Sequence, residues 1–281
     1  MSDTIISLLG LGDNTVDVYV DQHVMFPGGN AVNVAVHTKR LGAEAGYLGC
    51  LGNDACAKLL FDSLSEEGID LSRCRRIEAE NAHARVGHRN GDRMFLGSTP
   101  GCRAAYTLDA DDFAYIAGFD MVHTSYCSDN DDAIPAIADA AKRLSYDFSN
   151  RTGQEKMARL APFVDIAFVS FANQSDDACL DALRAIAAMG PRAAVMTRGD
   201  QGAVALVDDK FYRQAIVPTK VVDTLGAGDA FIAGFLRAFI AEETVSECLR
   251  LGAETAAQTC RSLGGFGHGA QFADGDIPSI D

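Results

Sequence analysis

The run Asp223-Thr224-Leu225-Gly226-Ala227-Gly228-Asp229, followed at once by Ala230-Phe231-Ile232-Ala233-Gly234-Phe235-Leu236, is the most informative stretch of this chain. Its glycines let the backbone pass close to a ligand, and the apolar residues behind them predict a buried helix. The first N–H groups of that helix would point at the ligand and form an anion site. Asp229 places a carboxylate beside that site, which is the arrangement that phosphoryl transfer to a hydroxyl needs.

The same run also has a simpler interpretation. An Asp in the first turn of a helix is favoured by the helix dipole and often only caps it. A Gly-Ala-Gly sequence can also be a tight turn without a ligand. The run alone does not separate these alternatives, so the rest of the chain has to decide between them.

Length and composition predict one globular α/β domain with a small insertion. The chain has 281 residues, 48% of them hydrophobic and 22% charged, with a mean hydropathy of +0.02, and it can bury a full core.

The charge of the chain argues against two classes of partner. Its 24 Lys and Arg against 39 Asp and Glu give a formal net charge of −15, which opposes binding to nucleic acid or acidic membranes. We expect neither partner. A nucleotide would need N–H groups, Mg²⁺ and cations such as Arg198.

The cysteines and the first residues predict a cytoplasmic protein. The eight Cys are scattered, without a Cys-x-x-Cys pair or a nearby His at zinc spacing, so free thiols in a reducing compartment are expected. Met1-Ser2-Asp3-Thr4 carries no basic segment before the short apolar run Ile5-Ile6-Ser7-Leu8-Leu9. No stretch approaches the length that spans a membrane.

Hydrophobic periodicity predicts strands that alternate with helices, a pattern typical of a parallel sheet with helices on both faces. A first strand at 5–11 ends at Gly12 and continues at 16–20 after a polar break. Further strands are predicted at 47–51, 121–124, 144–148, 164–170 and 193–197, and helices at 30–41, 132–143, 176–189, 227–241 and 245–263.

Between residues 73 and 106 the pattern changes to short alternating runs at 83–88 and 94–96, joined by Arg89-Asn90-Gly91-Asp92. Asn-Gly between strand-like runs is a strong hairpin signal. We expect this hairpin and residues 14–24 to form a small β lid on a single domain of residues 1–281. An ordinary edge hairpin is the alternative. A lid sheet with a spare face could also join two copies in a homodimer.

Two common nucleotide motifs fail in this chain. Gly10-Leu11-Gly12 suggests a dinucleotide-binding turn, but position 15 is Thr instead of the third glycine, and Asp13 would repel a pyrophosphate. The chain also lacks Gly-Lys-Ser and Gly-Lys-Thr, which excludes a P-loop. A nicotinamide-dependent oxidoreductase therefore stays as a rival that only the α/β pattern supports.

A second polar constellation accompanies the first strand and the first long helix. Gly28-Gly29-Asn30-Ala31-Val32-Asn33 opens that helix, and Asp13, Asn14 and Asp17 follow the strand. In a parallel sheet both segments lie at the edge where ligands bind. Carboxylates, carboxamides and bare backbone together suit a polyhydroxylated ligand. Alternatively, Asn30 only caps its helix and Asn33 faces solvent.

Taken together, these motifs resemble those of a known family. Gly28-Gly29-Asn30 with Asn33 resembles the first signature of the PfkB family of ribokinase-like sugar kinases, and residues 223–229 resemble its second, Asp-Thr-x-Gly-Ala-Gly-Asp. The resemblance covers residues 5–267. It implies an α/β three-layer sandwich with a mostly parallel central sheet and a small β-sheet lid. It also implies transfer of the ATP γ-phosphoryl group to a primary hydroxyl of a sugar, with Mg²⁺ on the nucleotide. A non-catalytic sugar or nucleotide sensor is the alternative.

The resemblance implies a role for each matched position. Asp229 resembles the general base, and the N–H groups of Gly226, Ala227 and Gly228 resemble the anion hole that stabilises the transferring group. Asp176 stands where the family usually has Glu, linked to Mg²⁺ through water, and Asp223 resembles a residue that helps to fix K⁺. The implied sugar site is Asp17, Gly28, Gly29, Asn30 and Asn33, with Asp13 as a weaker candidate, and the implied nucleotide site is Asn173, Thr197, Arg198, Gly199, Gly202 and Thr224.

The acceptor sugar is less defined than the reaction. Ribokinase-type members carry Lys where this chain has Asn30, which argues against an identical substrate pose. The runs 12–19, 28–36 and 146–149 resemble those of bacterial fructoselysine 6-kinases, which phosphorylate a fructosyl amino acid. Its zwitterionic end needs both signs of charge, and Arg89, Asp92 and Arg93 of the hairpin could supply them, although such tips are usually only solvated. Fructose, ribose and nucleosides stay open as acceptors.

Overall fold

The computed structural model describes residues 6–89, 92–172, 174–273, 275 and 277. The side chains at 88, 89, 92, 93, 95, 104 and 105 lie outside this description. Its elements in chain order are β1 (Ser7–Gly12), β2 (Thr15–Tyr19), β3 (Val24–Gly28), α1 (Asn30–Arg40), β4 (Glu44–Leu51), α2 (Ala55–Glu66), β5 (Arg75–Arg76), β6 (His83–Arg89), β7 (Asp92–Thr99), α3 (Ala110–Ile116), β8 (Met121–Ser125), α4 (Ile134–Ala140), β9 (Leu144–Asp147), α5 (Gln154–Leu160), β10 (Ile166–Ser170), α6 (Asp176–Ala187), β11 (Ala193–Thr197), β12 (Ala203–Val207), β13 (Lys210–Gln214), α7 (Ala227–Ile240), α8 (Val245–Thr259) and β14 (Ala270–Gln271).

The larger sheet has nine strands in the order β13-β12-β11-β10-β9-β8-β1-β4-β5. Its strands from β11 to β5 pair in parallel, and β12 and β13 add an antiparallel edge. Adjacent residues of β1 pack in different hydrophobic clusters, Leu9 in one and Leu8 in another. Both faces of the sheet are therefore covered, as parallel sheets require. This confirms the predicted α/β fold with a mostly parallel central sheet.

The smaller sheet has five strands in the order β14-β3-β2-β6-β7. It contains the hairpin predicted from the Asn-Gly signal, with β6 antiparallel to β7, and β2 lies beside β6. The turn residues Asn90 and Gly91 lie outside the described residues. The predicted segment 73–106 is divided between the two sheets, because Arg75 and Arg76 pair with Cys50 and Leu51 of β4.

Some elements were not predicted, and their local chemistry explains why. The β12–β13 hairpin turns through Asp208 and Asp209, both in left-handed backbone conformations (φ 48° and 60°), whereas sequences usually mark such turns with Asn-Gly or Asp-Gly. The helix predicted at 132–143 is shorter. It begins at Ile134 after a 3₁₀ turn and ends at Ala140.

Two further observations concern the cysteines and the membrane. The eight cysteines are free thiols, and the buried Sγ atoms of Cys50 and Cys102 lie 3.1 Å apart. In the part of the chain that the structure describes, no helix is long and apolar enough to cross a membrane.

Candidate active site

The glycine-rich run opens helix α7 as predicted from its sequence. Gly226 precedes the helix with a φ of 72°, and a Cβ there would lie 2.7 Å from the Cα of Gly265, so only glycine fits. Ala227 donates its N–H to the carbonyl of Thr224 within the loop (3.2 Å). Among the described residues, no carbonyl accepts from the N–H groups of Gly226, Gly228 and Asp229. These groups are the available donors for an anion at the start of the helix.

The Asp229 carboxylate is held between two amides of helix α1. Asn30 Nδ2 donates to Asp229 Oδ1 (2.8 Å), and Asn33 Nδ2 donates to Oδ2 (2.6 Å). The two asparagines are three residues apart and therefore lie on one face of α1. The simpler interpretation of these residues is wrong, since Gly29 occupies the N-cap position of α1 and Asn33 is only 4% exposed.

The surroundings of Asp229 make it more basic than an ordinary aspartate. Burial raises its pKa to about 6, and repulsion from Asp13 and Asp17 acts in the same direction, against the hydrogen bonds from Asn33 and Asn30. A carboxylate of this kind is largely ionised at neutral pH and still accepts a proton readily. Both properties suit a general base.

A second carboxylate, Asp147, lies at the end of β9 beside the same amide. Asn30 Nδ2 donates to Asp147 Oδ2 (2.9 Å), and the N–H of Ser149 donates to Oδ1 (2.8 Å). Burial raises the pKa of Asp147 to about 7, and repulsion from Asp229 adds to the effect. Sequence reasoning missed it as a site residue. The available signal was an acidic residue at the carboxyl end of a central parallel strand.

His123 on β8 holds the other end of the Asn30 amide. Its Nε2 lies 2.8 Å from Asn30 Oδ1, and its Nδ1 lies 2.9 Å from the hydroxyl of Ser145. Burial lowers the pKa of His123 to about 3, so the imidazole is neutral at physiological pH. Sequence reasoning missed His123 too, because nothing in the run 121–125 distinguishes it from a core residue.

Asp13 anchors the start of helix α1. Its carboxylate accepts from the N–H groups of Asn30 (2.6 Å) and Ala31 (3.2 Å) and from the hydroxyls of Ser125 (3.0 Å) and Ser128 (2.9 Å). A negative charge is stabilised at a helix N-terminus. With 3% of its surface exposed, this side chain supports the helix that carries Asn30 and Asn33.

Three of the predicted sugar-binding residues, Asp17 of β2, Gly28 of β3 and Asn33 of α1, lie close together. A Cβ built on Gly28 would lie 3.5 Å from a carboxylate oxygen of Asp17 and 3.7 Å from the amide oxygen of Asn33. That amide oxygen is buried and has no hydrogen-bond partner among the described residues. Gly29, with a φ of 109°, approaches the backbone of Asn14. Gly28 thus places no Cβ against the Asp17 carboxylate and the Asn33 amide, and the close approach at 29 admits only glycine. Arg93 belongs to β7, and its side chain lies outside the described residues.

A cavity of about 480 Å³ adjoins the start of α7 on the other side. It is lined by the predicted nucleotide residues Thr197, Gly199, Gly202 and Thr224, and by Ala227 and Gly228 at the start of α7. Its remaining wall is mainly apolar and includes Ile216, Val217, Val221, Phe231, Ala256 and Ala257. A polar, glycine-rich end and an apolar end suit the phosphates and the base of a nucleotide.

Arg198 does not line this cavity. Its buried guanidinium donates to Asp176 Oδ1 (2.7 Å) and to the carbonyl of Gln174 (3.0 Å). Asp176 also accepts from Arg213 (3.1 Å), and the hydrogen bond from Arg198 holds the pKa of Asp176 below its usual value. Asn173 lies outside the described residues.

The predicted metal residues are engaged in other contacts. Asp176 is tied to two arginines, and Asp223 accepts from the N–H groups of Leu225 (3.0 Å) and Gly264 (3.1 Å). No group of three or more His, Cys, Asp and Glu that could hold a metal occurs in the described ranges. Because Asp176 and Asp223 already accept hydrogen bonds from protein donors, a divalent ion here would take most of its ligands from phosphate oxygens and water.

The sequence profile of the pfkB family carbohydrate kinases matches residues 2–267. The chain is 40% identical to the fructosamine kinase FrlD of Bacillus subtilis over 269 residues, 94% of each protein. It is 36% identical to the fructoselysine 6-kinase of Shigella flexneri over 260 residues, 92% of this chain and 99% of that enzyme.

Among solved structures, Arabidopsis thaliana ribokinase complexed with ribose and ATP has a similar fold, with a TM-score of 0.82 and 21% identity, covering 93% of this chain and 94% of that one. Fructokinase from Vibrio cholerae bound to fructose, ADP and calcium gives a TM-score of 0.75 at 22% identity, covering 94% and 96%. At these identities the likeness shows the fold alone.

Proposed function

The chain belongs to the pfkB family of carbohydrate kinases, and from this premise we propose that it uses ATP to phosphorylate the sugar hydroxyl of a fructosamine such as fructoselysine. The family transfers a phosphoryl group to an alcohol and uses ATP with a divalent metal. Relatives over nearly the whole chain are a fructosamine kinase and a fructoselysine kinase. These names support the proposed acceptor class.

The observation that carries the proposal is the position of Asp229 between two binding spaces. We take the surroundings of Asp17, Gly28 and Asn33 as the acceptor space, which Asn33 joins to Asp229, and the cavity lined by Thr224 and Gly228 at the start of the same helix as the nucleotide site. A hydroxyl placed near Asp229 would face the anion donors at the start of α7. This is the order of groups that in-line transfer from ATP to a hydroxyl requires.

The roles of the chain's own residues follow from their contacts. Asp229 takes the proton of the acceptor hydroxyl while Asn30 and Asn33 keep its carboxylate oriented. The N–H groups of Gly226 and Gly228 stabilise negative charge on the transferring group. The divalent ion, which we take to be Mg²⁺, neutralises the phosphates of ATP when bound. Asp223 ties the loop to Gly264, and a K⁺ ion beside it stays a prediction.

Charge favours an aminated sugar over a neutral one. Asp147 and Asp229 both have raised pKa values, and no Lys or Arg of the described residues pairs with either carboxylate. A fructosamine carries a secondary amine that is protonated near neutral pH, whereas fructose and ribose are uncharged. A cationic ligand relieves repulsion among buried carboxylates.

The test is an ADP-release assay over fructoselysine, other fructosamines, fructose, ribose and nucleosides. The expected result is a kcat/KM for at least one fructosamine about tenfold or more above that for any neutral sugar. Turnover of neutral sugars alone would overturn the acceptor assignment and leave the kinase class intact.

Asp229→Asn should lower kcat by about 10² to 10⁴-fold while calorimetry shows retained sugar binding. Binding without turnover in the unmodified protein would instead favour the sensor.

We also propose that the smaller sheet mediates a homodimer. Strand β7 is an edge of that sheet, and Leu96 on it is 49% exposed. An exposed edge strand with a large apolar side chain pairs readily with a second copy. Light scattering should give a dimer for the unmodified protein and a monomer for Leu96→Asp. A monomeric unmodified protein would contradict this proposal.

A further inference from the structure

We propose that His123 is a positioning residue for the catalytic base, because it fixes the Asn30 amide in the one orientation that directs both amide hydrogens at carboxylates. The inference rests on the proposed function, in which Asp229 is the base. It assigns a role to a histidine inside the large sheet that touches neither the acceptor space nor the nucleotide cavity as described above.

The Asn30 amide needs an external partner to hold its orientation. Its Nδ2 donates one hydrogen to Asp229 Oδ1 at 2.8 Å and the other to Asp147 Oδ2 at 2.9 Å. Turned by half a rotation, the amide would present its oxygen to the same two carboxylates, and Asp229 would keep only the donor Asn33 and Asp147 only the N–H of Ser149. The amide oxygen and nitrogen are similar in size, so packing alone does not choose between these states. The two carboxylates favour the nitrogen on their side, and the partner on the oxygen side holds the amide in that orientation.

His123 is that partner, and the neighbouring groups determine its tautomer. A carbonyl oxygen can only accept, so the proton must lie on His123 Nε2, 2.8 Å from Asn30 Oδ1. Nδ1 then accepts from the Ser145 hydroxyl at 2.9 Å. The Phe168 ring stands edge-on to the imidazole, at 6.4 Å and 76°, inside a fully buried site. The histidine thus acts as a fixed neutral donor.

Loss of the His123 N–H donor should change the pH range over which Asp229 is ionised. The charged groups that face Asp229 are Asp13 at the end of β1, Asp17 on β2 and, through the shared amide, Asp147 on β9. All are acidic, so the Asn30 hydrogen bond is one of the few contacts that favour the ionised base. When Asn30 is free to rotate, the pKa of Asp229 rises, and a smaller fraction of the base is ionised at acidic pH.

The variants His123→Phe and His123→Gln separate positioning from packing. Phe keeps a ring against Phe168 without a donor, and Gln restores an N–H. Relative to the unmodified protein, the Phe variant should lose about 10- to 100-fold in kcat, keep its KM for ATP within about threefold, and shift the acidic limb upward by about one pH unit. The kcat of the Gln variant should be about tenfold higher than that of the Phe variant.

Thr124→Val is the matched control. Thr124 is the next residue of β8, fully buried, and accepts a hydrogen bond from Asn130 at 2.9 Å. Successive side chains of a strand point to opposite faces, so this change perturbs the same strand away from Asn30. It should leave the acidic limb in place. A folded His123→Phe protein with unchanged kcat and pH limb would overturn the proposal.

Nuclear magnetic resonance of histidine labelled at both ring nitrogens tests the tautomer without turnover. We expect His123, assigned through its contact with the Phe168 ring in the unmodified protein, to stay neutral with the proton on Nε2 across the physiological pH range. A proton on Nδ1, or titration near the ordinary histidine pKa of about 6.5, would overturn the proposal even if neither variant folds. Failure of the proposed function would show separately, as absence of turnover with every acceptor in the unmodified protein.

Discussion

Asn30 joins two carboxylates that both bind protons more tightly than an ordinary aspartate. The pKa of Asp229 is raised to about 6 and that of Asp147 to about 7, in both cases mainly by burial. A carboxyl whose pKa is higher in the folded than in the unfolded state binds more protons when folded. Its contribution to stability therefore falls as pH rises from about 4 through these values. At neutral pH the pair destabilises the fold locally, as catalytic groups often do.

The pH dependence of the reaction follows from the same groups. Because the base must be ionised, kcat/KM should fall about tenfold per pH unit below the raised pKa of Asp229, about 6. Direct measurement of the phosphorylated sugar over a pH series avoids any effect on coupling enzymes. A rate that stays constant down to about pH 4.5, near the reference pKa of an unperturbed carboxyl, would show that Asp229 is not the base.

Sequence reasoning predicted some of the residues that meet at Asn30 and missed others. It placed Asp229, Asn30 and Asn33 in one site through two motifs, and the structure brings the three side chains together. It could not find His123 or Asp147, because these residues meet Asn30 across sequence separations of 93 and 117 residues. Only the order of strands in the folded sheet brings them to the same amide.

The elements were predictable where a local signal existed. Helix α1 begins where the glycine pair predicted, and α7 begins at the glycine-rich run. The β12–β13 hairpin was missed because Asp208 and Asp209 take left-handed conformations without a glycine. The strand pair Arg75–Arg76 was assigned to the lid because its partner, Cys50–Leu51, lies in another part of the chain.

The N-terminal end of α1 depends on Asp13, which sequence reasoning assigned to the sugar. Asp13→Asn replaces a carboxylate that accepts four hydrogen bonds, and it should lower the free energy of unfolding by about 2 to 3 kcal/mol. The acceptor KM should change by less than about threefold. Asp54→Asn is the comparison, since Asp54 is the N-cap of α2 and accepts one other N–H, from Asn81 (2.8 Å). Asn caps about as well as Asp, so this change should cost one hydrogen bond and less stability than Asp13→Asn. Unchanged stability with lost sugar affinity would return Asp13 to the substrate site.

The glycines at the two ends of α1 also differ in how much stability an alanine substitution should cost. At Gly29, with a φ of 109°, a Cβ would lie 2.5 Å from the Cα of Asn14, so Gly29→Ala should destabilise by about 2 to 4 kcal/mol and abolish most activity. At Gly42, with a φ of 84°, a Cβ would meet nothing within 4 Å, so Gly42→Ala should reduce stability by only about 1 kcal/mol. Chemical denaturation of both variants tests the difference. Equal effects would contradict the close approach at Gly29.

At the scale of the whole molecule, the acceptor space lies where the two sheets meet. Asp17 and Gly28 belong to the smaller sheet, whereas Asp147 ends a strand of the larger one and Asp229 belongs to α7. A ligand that contacts both sheets should hold them together and exclude water from the reacting groups. This supports the lid function that we propose for the smaller sheet.

Hydrogen exchange measures this closure. An acceptor sugar with a non-hydrolysable ATP analogue should slow amide exchange in β2 and β3 by about tenfold or more, because opening of the lid would then require ligand release. The β12–β13 hairpin, at the far edge of the larger sheet, is the internal reference and should change less. Equal protection in both regions, or none in β2 and β3, would contradict a lid.

The contacts that orient Asp229 join positions 199 and 196 residues apart, and this separation matters during synthesis on the ribosome. The amino-terminal part of the site emerges first, whereas the base and its anion donors emerge only after these intervening residues have been synthesised. A nascent chain therefore carries the residues of the proposed acceptor space long before it can transfer phosphate. Any fragment that includes Asn30 and Asn33 and stops before residue 223 contains the two amides that orient the proposed base without the base itself, so a translational pause in this region cannot yield a partly active enzyme.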